Sequence, residues 1–193
     1  MNEQELNLPS LELLEKELER EHRRSSTRRA LHVTILILLL VAAAAVVAVM
    51  MILPIYRVSG EAMSQTLEDG DIVVALNDGK YKSGDVIGFY FDDSTFIKRV
   101  IAVSGDWVDI DADGNVSVNG AQLDEPYVSE KAFGDCNISL PYQVPDGRCF
   151  VMGDHRANSV DSRNSGIGCI SSEMVIGRLL LRVWPLERIG VIR

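Results

Sequence analysis

The stretch from Ala30 to Tyr56 contains no Lys, Arg, Asp or Glu in a chain of 193 residues. Its Ile, Leu, Val and Ala content exceeds the ~20 apolar residues with which a helix crosses a bilayer, a length that a buried core helix does not need. A cleaved signal peptide has an apolar core of roughly 7 to 15 residues, followed by a small-residue cleavage site. This run is longer and begins later, and its small residues Ala42 to Ala45 lie inside it. The expectation is an uncleaved anchor over residues 30–56, in contact with membrane lipid.

Charge orients that anchor. Arg23, Arg24, Arg28 and Arg29 crowd its N-terminal flank, whereas Arg57 on the other side is followed by Glu61, Glu68, Asp69 and Asp71. The positive-inside bias places the N-terminus in the cytoplasm and everything after Tyr56 outside, as a single-pass protein of the cell membrane. Of the net charge of −9, residues 1–29 with 6 basic and 7 acidic side chains carry −1, leaving −8 on the rest. An acidic outer part argues against nucleic-acid binding, which draws on basic patches. Within the charged tail, Ser10 precedes Leu11, Leu14 and Leu18 at helical spacing, with Glu12–Lys16 and Glu19–Arg23 as i,i+4 pairs. A short capped helix is expected there.

Beyond the anchor the patterning is that of a mostly β protein. Strands are expected at 71–76, 86–91, 96–103 and 107–110, separated by Gly-containing turns. Asp113-Gly114 and Asn119-Gly120 read as hairpin turns. Met174 to Val183 reads as a final strand that stops at Trp184-Pro185. The organisation expected is a β domain made of 57–103 and 149–193, with a β-rich insertion over 104–148. Asp109 to Gly114 resembles the start of an EF-hand loop, but its twelfth position is Gly120 where a bidentate Glu is needed, so no calcium site is expected. Cysteine spacing suggests no metal either. Cys136, Cys149 and Cys169 stand where an oxidising compartment permits a disulfide. Cys136 with Cys169 is the favoured pair, because Cys149 opens the apolar run to Met152 and reads as a buried thiol.

Lys98 sits in the apolar run Phe96 to Ile101. A lysine acts as a general base only when neutral, which burial can achieve at a cost of roughly 4 kcal/mol for a shift of about 3 pKa units. About fifty-five residues on lies Gly153-Asp154-His155-Arg156-Ala157-Asn158-Ser159-Val160-Asp161-Ser162-Arg163. Here Asp154 can pair with Arg156 and Asp161 with Arg163, and Ser159 offers a hydroxyl to hold an amine. With Ser59-Gly60-Glu61-Ala62-Met63 upstream and Gly105-Asp106 after Lys98-Arg99-Val100-Ile101, these segments together resemble type I signal peptidases.

That resemblance implies a signal-peptidase-type β domain behind a membrane anchor, cleaving signal peptides from exported preproteins with a Ser-Lys dyad and no cofactor. It makes Lys98 the general base and Ser159 its orienting hydroxyl. Asp161 and Arg163 buttress them, Asp154 and Arg156 support the loop, and Gly60 and Met63 flank the nucleophile position, whose N–H helps form an oxyanion hole. His155 would be structural. The nucleophile's own position is Ala62, and Gln65 stands where the family has Pro. Without a hydroxyl at 62, no acyl-enzyme forms there. The chain is then either a peptidase severely impaired by Ala62, or a membrane-tethered pseudoprotease that binds signal peptides or a partner peptidase. Ser59 and Ser64 are the nearby hydroxyls that could substitute.

Overall fold

The computed structural model describes residues 11–192, with side chains described for Arg29 to Val49 and from Leu53 onward. The chain divides into two compact units, Met1–Val49 and Met50–Arg193. In the first, α1 (Leu11–Ile52) is one uninterrupted helix. The short tail helix and the anchor expected from the sequence are therefore not separate elements. No Gly or Pro falls between Leu11 and Ile52 to divide them; the Ser10 cap lies outside the described residues. Arg29–Val49 is long and apolar enough to cross a membrane, with a mean hydropathy of 2.8 and none of it buried. The helix stops at Ile52, short of the boundary expected at Tyr56. Pro54 cannot continue it, and Ile55 and Tyr56 instead enter strand β1 (Ile55–Arg57).

The second unit carries two antiparallel sheets. In the larger, β1 pairs with β2 (Ile72–Leu76), and the order continues through β11 (Val175–Trp184), β3 (Val86–Phe91), β4 (Ser94–Val103), β9 (Arg148–Met152) and β10 (Ile170–Ser171). Residue 175–184 is not the last strand. After a turn at Leu186–Arg188, β12 (Gly190–Val191) folds back and pairs with Leu181 and Arg182. The smaller sheet has the order β7 (Ala121–Gln122), β6 (Val116–Val118), β5 (Trp107–Ile110), β8 (Tyr142–Gln143). Its β6–β7 turn is Asn119-Gly120, with φ of 52° and 80°. Two successive residues in the left-handed region are what a tight type I′ hairpin requires, and Asn and Gly tolerate it best. At the EF-hand-like segment, the Asp111 carboxylate accepts hydrogen bonds from the backbone N–H groups of Asp113 and Asn115 and from the Asn115 amide. Those acidic residues thus build a turn.

Strand β4 positions the site. Its β-branched and aromatic residues suit a strand, and it lies between β3 and β9, with Lys98 opposite Ile87 and Arg99 opposite both Val86 and Met152. Residues 98–102 are buried. Val100 packs with Ile87, Phe89 and Val151, and Ile101 and Ala102 pack with Phe150 of β9 and with Val108 and Val116 from the smaller sheet. A strand buried this way places any polar side chain it carries under strong desolvation.

The expected Cys136–Cys169 disulfide is absent, and all three cysteines are free thiols. Cys169 is buried in the core with Ile101 and Phe150, whereas Cys136 lies half-buried in the loop beside Arg163, where the Asn137 N–H donates to the Arg163 carbonyl. Burial pushes the Cys149 thiol up to about 12 and the Cys169 thiol up to about 11, so both stay protonated.

Candidate active site

Lys98 is 3% exposed on β4, and its Nζ donates a hydrogen bond of 2.9 Å to Ser159 Oγ. Ser159 Oγ in turn donates to Asp161 Oδ2 at 2.7 Å. The Asp161 carboxylate also accepts from the Gly153 N–H and from the Arg163 guanidinium, at 2.8 Å to Nε and 2.9 Å to NH2. Residues 61 apart in sequence thus form one buried chain, Lys98 to Ser159 to Asp161 to Arg163. It opens onto a groove of roughly 630 Å³ lined by Tyr56, Val58, Ser59, Ala62, Met63, Phe96, Ile97, Lys98 and Val160 among others.

Ala62 reaches this chain across Gly153. A Cβ built on Gly153 would collide with Ser159 Oγ and lie 2.5 Å from the Ala62 carbonyl oxygen. That carbonyl also accepts from the His155 N–H at 3.1 Å. Only glycine lets the two loops approach this closely. Gly153→Ala is expected to cost about 2 kcal/mol, as overpacking does; a thermal unfolding midpoint unchanged from the parent would contradict the contact.

Over residues 29–184 the chain matches the family described as signal peptidase, peptidase S26. The chain belongs to that family. It is 35% identical over 150 residues to a signal peptidase I of Bacillus licheniformis, covering 69% of this chain and 78% of that protein. A signal peptidase IB of Staphylococcus aureus strain COL is 33% identical over 157 residues, covering 70% and 80%. A crystal structure of a signal peptidase I from Enterococcus faecalis V583 aligns at 27% identity with a TM-score of 0.45, covering 52% of this chain and 97% of that one.

Around the chain of hydrogen bonds, this signal peptidase family member differs from expectation in its ion pairs. Asp161–Arg163 forms as expected, but Asp154 does not pair with Arg156. Asp154 instead takes the Arg99 guanidinium through both oxygens, at 2.8 and 2.6 Å, and accepts from Thr66 Oγ1 at 2.5 Å. Arg156 pairs with Glu125 from the loop between β7 and β8. The reason is geometric: the loop carrying Asp154 and Arg156 lies between two other segments, and each side chain meets an opposite charge from a different one. Arg99 also stacks on the Tyr127 ring, 3.8 Å from its centroid. Arg99, Glu125, Thr66 and Tyr127 were not among the site residues expected. Arg99 follows Lys98 directly and its sequence signal was present; Glu125 and Tyr127 had none, because loop partners carry no periodicity.

Gly60 has φ of 88° and its N–H donates to Asp69 Oδ1 at 2.9 Å, closing the turn before Ala62. Met63 is buried with Val58, Leu67 and Val73. Gln65 has φ of 94°, which a proline ring cannot adopt, and its side-chain amide bonds both the N–H and the hydroxyl of Ser129. Ser59 lines the groove. Ser64 shares a hydrogen bond of 3.0 Å with His155 Nδ1, so its partner is an imidazole and not Lys98.

Burial pushes Lys98 down to about 8; the Asp161 and Asp154 carboxylates oppose that and Arg163 reinforces it. For Asp161, burial alone would raise the carboxyl, but the Arg163 hydrogen bonds and charge outweigh it and hold the group below the usual carboxylate range. The folded state therefore binds the Lys98 proton less tightly than the unfolded state. Stability is fully present above the unfolded value near 10.5 and falls as pH drops towards 8. Lys98→Met is accordingly expected to raise stability at pH 7, by roughly 1 to 3 kcal/mol, and to flatten the rise between pH 8 and 10. Urea unfolding at both pH values checks it, and a destabilised Met variant would contradict it.

Proposed function

We propose that the groove receives the signal-peptide segment of exported preproteins, and that Ala62 leaves this chain able to hold such a segment but severely impaired in cutting it. The observation that carries the proposal is the buried chain Lys98, Ser159, Asp161 and Arg163, opening onto the groove beside position 62. In this reading Lys98 is the general base and Ser159 fixes its amine. Asp161 and Arg163 hold Ser159 in turn, and the Arg99–Asp154 and Arg156–Glu125 pairs fix the loops on either side. Membership of the signal peptidase family supports signal-peptide removal as the ancestral reaction. With no side-chain hydroxyl at residue 62, Lys98 has no proton to remove from it, and the arrangement retains binding and orientation without the attacking atom.

The arginine-rich flank at residues 23–29 supports a cytoplasmic N-terminus by the positive-inside bias, which in this reading leaves the β unit on the extracytoplasmic side, where preproteins emerge. In this reading neither neighbouring hydroxyl is paired with Lys98: Ser64 hydrogen-bonds His155, and the Lys98 amine donates to Ser159 and not to Ser59. A second reading, that the chain tethers a partner peptidase to the membrane, rests on the same lack of a nucleophile. The test incubates a preprotein with the full-length chain in lipid vesicles and with its Ala62→Ser variant. Binding by both and cleavage by the serine form alone support the proposal. Equal cleavage by both overturns the assignment of position 62, and absence of preprotein binding by either favours the tether.

A further inference from the structure

The hydroxyl hydrogen of Ser159 is committed. Asp161 is an acceptor-only carboxylate 2.7 Å from Ser159 Oγ, so the single Ser159 hydrogen points to it. Ser159 Oγ can then only accept from Lys98, at 2.9 Å. A neutral amine has two N–H bonds and one lone pair, and this contact uses one of the N–H bonds. The lone pair is left free of Ser159. Ala62 lines the same groove as Lys98 but carries only a methyl group, so it has no hydroxyl to offer that lone pair. Val58, Met63, Phe96, Ile97 and Val160 form the apolar part of the groove wall, which Arg57, Ser59, Ser94 and Thr95 complete. Desolvation by these walls favours the uncharged amine.

We propose that Lys98 is a covalent capture site for carbonyl electrophiles, condensing with a peptide-linked aldehyde held in the groove to form an imine. The inference rests on the groove being a peptide-binding site, but it concerns the reactivity of the nitrogen itself in place of base catalysis. The Lys98 lone pair adds to the aldehyde carbon, forming the N–C bond, while the carbonyl π pair moves to oxygen. Both amine hydrogens pass to that oxygen through water at the open mouth of the groove. The C–O bond then breaks, releasing water and leaving the C=N bond. No oxidant or reductant is involved, and the step is reversible. A lysine in a desolvated pocket is the usual setting for such an amine.

The test treats the full-length chain in detergent at neutral pH with a short peptide aldehyde and cyanoborohydride, which reduces the imine to a stable secondary amine. The modified lysines are then mapped by mass. Lys80, Lys82 and Lys131, all exposed, serve as internal references. Lys98 is expected to be labelled about tenfold faster than any of them, as a larger neutral fraction dictates. Ala62→Ser should divert the aldehyde to a serine hemiacetal that hydride does not trap, lowering labelling at Lys98 while leaving the surface lysines unchanged. Labelling of Lys98 no faster than the surface lysines overturns the proposal, as does equal labelling in the Ala62→Ser variant. Preprotein binding, measured separately, distinguishes the two readings: fast labelling without preprotein binding retains the capture site and rejects the signal-peptide reading.

Discussion

Ala62→Ser is expected to raise preprotein cleavage by orders of magnitude, up to about 10⁶-fold, the scale on which removal of a hydrolytic nucleophile acts. The prediction follows from what surrounds position 62. Lys98, Ser159 and the buried Asp161–Arg163 pair form one hydrogen-bonded chain, so in the proposed reading a single side-chain oxygen at 62 is what a Ser-Lys dyad would still require. The gain should have a pH signature. Lys98 must be neutral to accept a proton, and the groups acting on its charge are Asp161, Arg163 and Asp154. Cleavage by the serine variant should therefore rise with pH and level off above about 8. Adding Lys98→Met to Ala62→Ser should return activity to the parent level. An Ala62→Ser chain that is folded, binds preprotein and yet cuts no faster than the parent would show that the geometry at 62 is wrong for attack.

Asp161→Ala is the second large effect. Asp161 is 1% exposed and accepts from four groups at once: the Arg163 guanidinium, the Arg163 N–H, the Ser159 hydroxyl and the Gly153 N–H. Arg163 is fully buried, and its remaining partners are the neutral carbonyls of Ala132, Phe133, Arg156 and Ser159. Removing the carboxylate strands a buried cation, which costs roughly 3 to 5 kcal/mol. Denaturant unfolding measures it directly. Asp161→Asn keeps an acceptor for Ser159 and should lose less. A loss below about 1 kcal/mol in the Ala variant would mean that Arg163 finds solvent, and that the pair does not hold the loop.

Several features of the fold were readable because they depend on local pattern. Alternating and β-branched runs marked strands at 86–91 and 107–110, which the structure reproduces at both ends. Asn119-Gly120 marked a hairpin because its backbone demands left-handed residues. Local pattern misleads where a boundary or a partner lies elsewhere in the chain. Pro54 stops the helix before Tyr56, but only pairing with β2 shows that Ile55 and Tyr56 belong to a sheet. Strand β12 is two residues long and exists because β11 offers it an edge. Cys136 and Cys169 were compatible as a pair on compartment grounds, yet one thiol is in a loop and the other in a core.

The same division runs through the site. Residue chemistry in the linear sequence determined the family, the apolar helix and the identity of position 62. These depend on which side chains occur and in what order. The tertiary structure decided which charges neutralise one another. Asp154 and Arg156, two residues apart, look like partners, but each is taken by a residue from another loop, Arg99 for one and Glu125 for the other. A buried charge must be matched by whatever the fold brings within about 3 Å, and sequence separation carries no information about that distance. The lowered proton affinity of Lys98 is likewise a property of the packed state, since desolvation exists only once β3, β4, β9 and the loop bearing Ser159 have closed around the amine.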